Sequence, residues 1–323
     1  MARNVRVASI SFAGGGGTLD GRYERARGAA LELLEQAALD RPDIVCLPET
    51  FTGLGCGEAE WIASAETVPG PTTDALGEVA RRHAMWVICP IVQLQGKDRY
   101  NAAVLLDRRG ELAGIYHKIH PTIGEIRRGI IPGAEASVFE TDFGRIGCAI
   151  CYDLNFRDVI EGLSAGGAEL VFFPSMYRGG LQLSIWAHDF AVHLVSATPG
   201  EGSAIVDPLG RVMAQSSAYQ KILCRTLNLD RRVLHIDENN CHWPAIKAKY
   251  GAGVVIDVAT PEAVFALTSH LPDITVDAII QEFGLEARTD YFARANRIRR
   301  EALQSHRQNL PGGLEEEMAA MSI

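Results

Sequence analysis

The feature that most restricts how this chain can fold is a regular alternation of two hydrophobic periods along most of its length. Short apolar runs such as "DIVCLPE", "MWVICPIVQLQ" and "ELVFFP" are interleaved with longer stretches whose apolar residues recur at helical spacing. In residues 22–39, Ala26, Ala30, Leu34 and Ala37 share one helical face. A second helical stretch, "TTDALGEVARRH", leads into "MWVICPIVQLQ". Two hairpins follow: "NAAVLLD" to "ELAGIYHK" across "RRG", and "SVFET" to "RIGCAIC" across "DFG". A helix at about 156–165 then precedes "ELVFFP", and a helix near 182–194 precedes two strands in "SAIVDPLGRVMAQ". Such alternation buries both kinds of apolar face in layers, so an α/β architecture with helix-covered sheets is predicted.

The 323 residues are enough for a large core, and 47% hydrophobic with 22% charged residues fits a folded soluble chain. A net charge of −9 offers no attraction to a phosphate backbone or an anionic membrane, so neither nucleic acid nor membrane is expected as a partner. The opening "MARNVRVASISFA" has a short apolar run broken by serines, with Val5 and Val7 at strand spacing, and reads as a first strand rather than a signal segment. No run reaches the roughly 18 apolar residues of a membrane helix. Seven cysteines without paired spacing point to a reducing compartment, and the cytoplasm is the predicted location. "AGGGGT" at 13–18 lacks the Gly-Lys-Ser/Thr ending of a phosphate loop and reads as a strand-to-helix turn.

Residues 1–240 are expected to form one domain, and residues 241–323 a C-terminal extension without a core of its own. Gly251, Gly253, Pro261 and Pro272 make 241–272 look irregular, with helices at about 275–283 and 289–307 behind. His242 and Trp243 read as packing anchors for this arm. The second helix is rich in arginine and has few apolar residues for its length: Tyr291, Phe292, Ile298 and Leu303. It therefore needs a surface to order it, on the core or on a partner subunit, and a homodimer or larger assembly is expected. The tail "GGLEEEMAAMSI" is expected to be mobile.

Chemistry concentrates in "GRIGCAICYDLNFRD". Odd spacing puts Cys148 and Cys151 on opposite faces of a strand running through both. Cys148, between Gly147 and Ala149, sits where a small apolar residue packs. Cys151 ends the run, where α/β proteins place ligand crevices, and is either a packing residue or a nucleophile. Glu49 leaves the end of the apolar run "DIVCLP": it is a surface carboxylate, or a buried one that needs a partner. Lys118 closes "ELAGIYHK" and is either solvated or part of a site. His117 and His120, three residues apart before Pro121, make a poor metal pair. Glu125 adds a second carboxylate. Taken together these are a thiol, a base and a cation, the set that nucleophilic attack on an acyl or nitrile carbon requires.

In their order, "LPET", "YHKIHPTIGE" and "GRIGCAICYDLNFRD" resemble the nitrilase (carbon–nitrogen hydrolase) superfamily, and the resemblance continues through "FFPS", "DFAVHL" and "GSAIVDPLGRVMAQ", over about residues 5–235. It implies an αββα sandwich, subunits that pair, no metal and no organic cofactor, and a catalytic set of Glu49, Lys118 and Cys151 supported by Glu125. Cys148 is then core filler. The run after the nucleophile, "CYD", is similar to the amidase branches, though Asn155 and Arg157 depart from their pattern, and "HPTIGEIRRG" partly resembles the nitrilase stretch. The expected function is thiol-dependent hydrolysis of a non-peptide carbon–nitrogen bond in a small amide or N-carbamoyl compound, through a cysteine thioester. The alternatives are a nitrilase making acid and ammonia, and a catalytically silent binding or assembly module. An intact Glu–Lys–Cys set argues against the last.

Overall fold

The computed structural model describes residues 3–14 and 21–308, so the later part of the "AGGGGT" turn and the tail from 312 lie outside the described residues. The chain divides into two units between Asp230 and Arg231.

The first unit opens with β1 (Asn4–Ile10), α1 (Arg22–Ala38), β2 (Ile44–Cys46), α2 (Glu58–Ala63) and α3 (Pro71–His83). A meander follows: β3 (Trp86–Gln95), β4 (Asp98–Leu106) and β5 (Leu112–His117), then the short α4 (Ile123–Arg127). Next come β6 (Val138–Glu140), β7 (Arg145–Cys148), α5 (Arg157–Ala165), β8 (Leu170–Pro174) and α6 (Leu181–Phe190). The unit ends with β9 (His193–Ala197), β10 (Ala204–Val206), β11 (Val212–Gln215) and β12 (Ile222–Asn228). Two six-stranded sheets result, ordered β12-β1-β2-β3-β4-β5 and β11-β10-β9-β8-β7-β6.

Three buried clusters account for the layering. Val7, Ile44, Ile88 and Tyr116 of the first sheet meet Ile146, Phe172, Val195 and Ile205 of the second, so the sheets face each other across one core. On the outer side of the first sheet, Val45, Val87 and Val104 pack against Ala30, Leu34, Leu76 and Val79 of α1 and α3. On the outer side of the second, Val171, Phe173 and Leu194 pack against Val159, Leu163, Leu183 and Trp186 of α5 and α6. The arrangement is the αββα sandwich that the family resemblance implies. It arises because strands buried on both faces must find helices outside and a sheet inside.

One helix boundary in this unit is corrected. The helix read as running to 194 stops at Phe190, and residues 193–197 are strand β9, paired in parallel with β8. The helix ends at Ala191, in the left-handed conformation at φ 53°, so no glycine or proline marks the break in sequence.

The second unit has β13 (Arg231–His235), α7 (Trp243–Tyr250), β14 (Val254–Ala259), β15 (Val264–Ser269), α8 (Val276–Phe283) and α9 (Arg288–Gln308). Its antiparallel sheet, ordered β13-β15-β14, buries Leu234, Val254, Phe265 and Leu267 with Ile246, Val276 and Ile279 from the helices. Residues 241–272 are therefore not irregular, and this region holds a core of its own. The glycines and Pro261 punctuate short elements rather than abolish them. Trp243 packs edge-on against Phe265 at 5.1 Å. Helix α9 is anchored within the unit by Tyr291 stacked on His235 and by Arg294 bonded to Glu238 and Glu286. Among the described residues no helix is long and apolar enough to cross a membrane.

Candidate active site

The first unit brings Glu49, Lys118, Glu125 and Cys151 to one cavity of about 320 Å³, whose wall also includes Thr50, Trp61, Arg128 and Met176. They arrive from separate elements: Glu49 just past β2, Lys118 next to the last residue of β5, Glu125 on α4, Cys151 in the turn after β7. Strands β2, β7 and β8 all point their carboxyl ends here, the position where open α/β sheets leave a crevice.

Glu49 is buried and both oxygens of its carboxylate are hydrogen-bonded. Oε1 accepts from Lys118 Nζ at 2.8 Å and from Asn101 Nδ2 at 2.8 Å, while Oε2 accepts from the Met176 amide at 2.9 Å. Thr50, directly behind it, adopts the left-handed conformation at φ 39°, which turns the chain sharply at the strand end.

Lys118 is 1% exposed and shared between two carboxylates. Its Nζ also donates to Glu125 Oε2 at 2.9 Å and Oε1 at 3.1 Å. Burial alone would push the ammonium down, but Glu49, Cys151 and Glu125 outweigh it and hold the group above its usual range. Glu125 is positioned by its own helix start. Thr122 caps α4, its Oγ1 accepting from the Glu125 amide at 3.2 Å while the Thr122 amide donates to Glu125 Oε2 at 2.7 Å. Burial opposes the Glu125 charge, yet Lys118, the Thr122 amide and Asn101 together keep its carboxyl below the usual range.

The two cysteines separate here. Strand β7 ends at Cys148, so Cys151 does not lie on its opposite face; it stands in a tight helical turn with φ 49°. Cys148 is enclosed by the inter-sheet core, and burial alone pushes its thiol up to about 12. Cys151 is partly exposed, and its thiol is also pushed up to about 12, by burial first and then by Glu49, against the opposing pull of Lys118 and the Met176 amide. The resting group is thus a thiol next to a carboxylate and an ammonium.

Asp153 holds this turn against β5. Its Oδ2 accepts from Tyr116 Oη at 2.7 Å and the Ile150 amide at 2.8 Å, and its Oδ1 from the His120 amide at 2.8 Å. The same buried carboxylate thus fixes the approach to Cys151 and the stretch carrying Lys118. His117 and His120 do not converge: His117 Nε2 meets Gln93 at 2.6 Å, and His120 Nε2 meets Asp158 at 2.9 Å. Asn155 and Arg157 face outward, Asn155 bonding Gln182 and the Tyr152 carbonyl, Arg157 bonding Glu161 and Asp189.

Reading the sequence missed four contributors: Asn101, the Met176 amide, the Thr122 cap and Asp153. Asn101 had a faint signal, an amide opening the otherwise apolar run "NAAVLL". The Met176 amide had none, since a backbone group leaves no trace in residue type. The capping pattern Thr122-Ile-Gly-Glu125 was visible and would have placed Glu125 at a helix start.

The description "carbon-nitrogen hydrolase" belongs to a family model that matches residues 23–233. The omega-amidase NIT2 of Xenopus tropicalis is 27% identical over 227 residues, spanning 62% of this chain and 82% of that protein. Its human counterpart is 26% identical over 228 residues, with the same coverage. Among solved structures, an amidase from Nesterenkonia sp. covers 69% of this chain and 90% of its own with a TM-score of 0.62 at 19% identity. Saccharomyces cerevisiae Nit3, a member of branch 10 of the nitrilase superfamily, covers 70% and 90% with a TM-score of 0.61 at 21% identity. At these identities the two structures speak for the fold.

Proposed function

The chain belongs to the carbon-nitrogen hydrolase family, and from that premise we propose that it cleaves the C–N bond of a small amide or N-carbamoyl compound with Cys151 as nucleophile. The observation that carries this reading is the meeting of Cys151, Glu49 and a lysine clamped between two glutamates on one cavity wall. A thiol at about 12 is ionised to roughly one part in 10⁵ at neutral pH, so it needs a base at the moment of attack. Glu49 is that base.

Glu49 takes the thiol proton as sulfur bonds to the carbonyl carbon, and the carbonyl electron pair moves to oxygen. Lys118 has three N–H donors; one goes to Glu49, one is shared across Glu125, and the third stabilises the oxyanion. The intermediate collapses, the C–N bond breaks, and the leaving nitrogen takes the proton from Glu49. The resulting thioester is hydrolysed by a water that Glu49 deprotonates, releasing the acid and returning the proton to sulfur. Glu125 orients Lys118 throughout. No metal or organic cofactor enters these steps, and the free cysteines, none of them paired, fit a reducing compartment, so the cytoplasm is the proposed location.

Amides rank above nitriles because the relatives are named as amidases and because "CYD" follows the nucleophile. The test is a paired assay of an amide and a nitrile sharing one side chain, following ammonia. The amide is expected to show kcat/KM at least about tenfold higher, a barrier difference of about 1.4 kcal/mol. Faster nitrile turnover across several pairs would move the protein to the nitrilase reaction. No turnover of either, with Cys151 no more reactive than a free thiol, would make the chain a binding or assembly module.

A further inference from the structure

The site holds a side chain that the proposed steps leave without a task. Asn101, in β4, is fully buried, and its Nδ2 donates at 2.8 Å both to Glu49 Oε1 and to Glu125 Oε1. Those bonds use both hydrogens of the amide nitrogen. The reversed amide would turn its oxygen toward two carboxylate oxygens, so the electrostatics fix which end points in. Its Oδ1 is buried with no hydrogen-bond partner among the described residues. A bare buried acceptor weakens a fold. Asparagine here is therefore explained by what its nitrogen does, and not by stability.

The position is set by the ladder. The β4–β5 pairing ends at Ala102 opposite His117, and one step further the Lys118 amide donates to the Asn101 carbonyl at 2.9 Å. The amide side chain and the lysine thus enter the site side by side, against the same two carboxylates.

Two buried carboxylates facing one ammonium carry a surplus negative charge, and such a pair tends to take up a shared proton. A proton held there would disable the base. Charge-assisted hydrogen bonds to both ionised carboxylates oppose that uptake. Lys118 and Asn101 both occupy Glu49 Oε1, whereas Oε2 carries one donor, the Met176 amide, and so keeps a lone pair for the thiol that Glu49 bonds. We infer that Asn101 is the positioning residue of the base: it keeps Glu49 and Glu125 ionised together around Lys118 and directs Glu49 Oε2 to the Cys151 proton. This inference rests on the reading of Glu49 as base.

The titratable groups near Glu49 are Lys118 after β5, Glu125 on α4, Cys151 after β7 and Tyr177 after β8, with Arg128 and Cys56 on the cavity wall. Carboxylic acids, unlike thiols, phenols and ammonium groups, ordinarily lose their protons in the acid range, so an acid limb in Cys151 reactivity reports the carboxyl cluster around Lys118.

Iodoacetamide alkylation of the full-length protein between pH 4 and 8, mapped to Cys151 by peptide mass, reads that limb without any substrate. Sulfur bonds to the methylene carbon, iodide leaves, and Glu49 takes the proton. Removing a donor from ionised carboxylates raises their proton affinity, so Asn101→Leu should move the limb upward by about one pH unit, equivalent to about 1.4 kcal/mol. Asn101→Asp, of the same shape but with a third carboxylate, should move it at least as far. A folded variant whose limb stays at the wild-type pH, with only a lower Tm, overturns the inference and leaves Asn101 a packing residue. If the leucine variant fails to fold, the isosteric aspartate decides alone. A wild-type Cys151 with no acid limb defeats the Glu49 base itself, which is a different result and is seen before any variant is made.

Discussion

At the scale of single residues, two thiols that are both pushed upward differ in exposure and in company. Burial lifts both, with Glu49 adding to the rise at Cys151, but Cys148 is enclosed by core while Cys151 stands beside Glu49 and Lys118. Cys151→Ala should therefore abolish turnover with the fold intact, whereas Cys148→Ala should keep activity and lose about 1 kcal/mol of stability. Intact-mass spectrometry after incubation with substrate checks the assignment, since an acyl adduct surviving in the Cys151→Ala protein would place the nucleophile elsewhere. Lys118 makes an opposite point: its charge is tolerated only because two carboxylates hold it. Lys118→Met should fold and lose on the order of 10²-fold or more in kcat, the cost of removing an oxyanion donor. A variant within a few-fold of wild type would assign the lysine to another role.

At the scale of elements, the site depends on how strand ends are tied. The turn carrying Cys151 is held to the end of β5 by Asp153, which accepts from Tyr116, Ile150 and His120. Asp153→Ala leaves those buried donors bare, and a loss of about 2–4 kcal/mol in urea unfolding is expected, with turnover falling as the turn relaxes. Unchanged stability would show that the three donors find other acceptors. Packing enforces the same turn from below. A Cβ at Gly147 would come within 2.7 Å of Leu163 Cδ2, so the strand leading to Cys151 lies flush on α5.

At the scale of the whole molecule, each unit has its own core, and every member of the site lies between Glu49 and Met176. A fragment of residues 2–230 should fold and unfold cooperatively by circular dichroism. A fragment ending at 272 should show a protease-sensitive second unit, because it lacks α8 and the buried Val276 and Ile279. Resistance of that second unit would mean the helices add nothing to its cluster. The elements carrying the site also expose Ile123, Ile126, Tyr152 and Met176, and α9 exposes Phe292, Ile298 and Leu303. We propose that a second copy covers such surface. Light scattering at micromolar concentration should give twice the chain mass or more, and a monomer would overturn the proposal.

Much of this was legible in sequence because periodicity is local. Helix α1 and strands β1, β2 and β8 follow from which residues recur at which spacing, and layering follows from the need to bury both faces. Glu49, Lys118, Glu125 and Cys151 were picked out through the family resemblance, and the structure brings the four to one cavity. Strand β9 was not legible, because Ala191 breaks the helix in a conformation that its residue type does not announce. The second unit's core was hidden by glycines and a proline that delimit elements too short to show a period. Asn101, Asp153 and the Met176 amide acquire their roles only by proximity: Asn101 and Glu125 are 24 positions apart, Met176 and Glu49 are 127. Residue type sets what a group can donate or accept, but only the tertiary structure decides which buried group stands at hydrogen-bond distance, and that distance determines which groups share the cavity with the thiol.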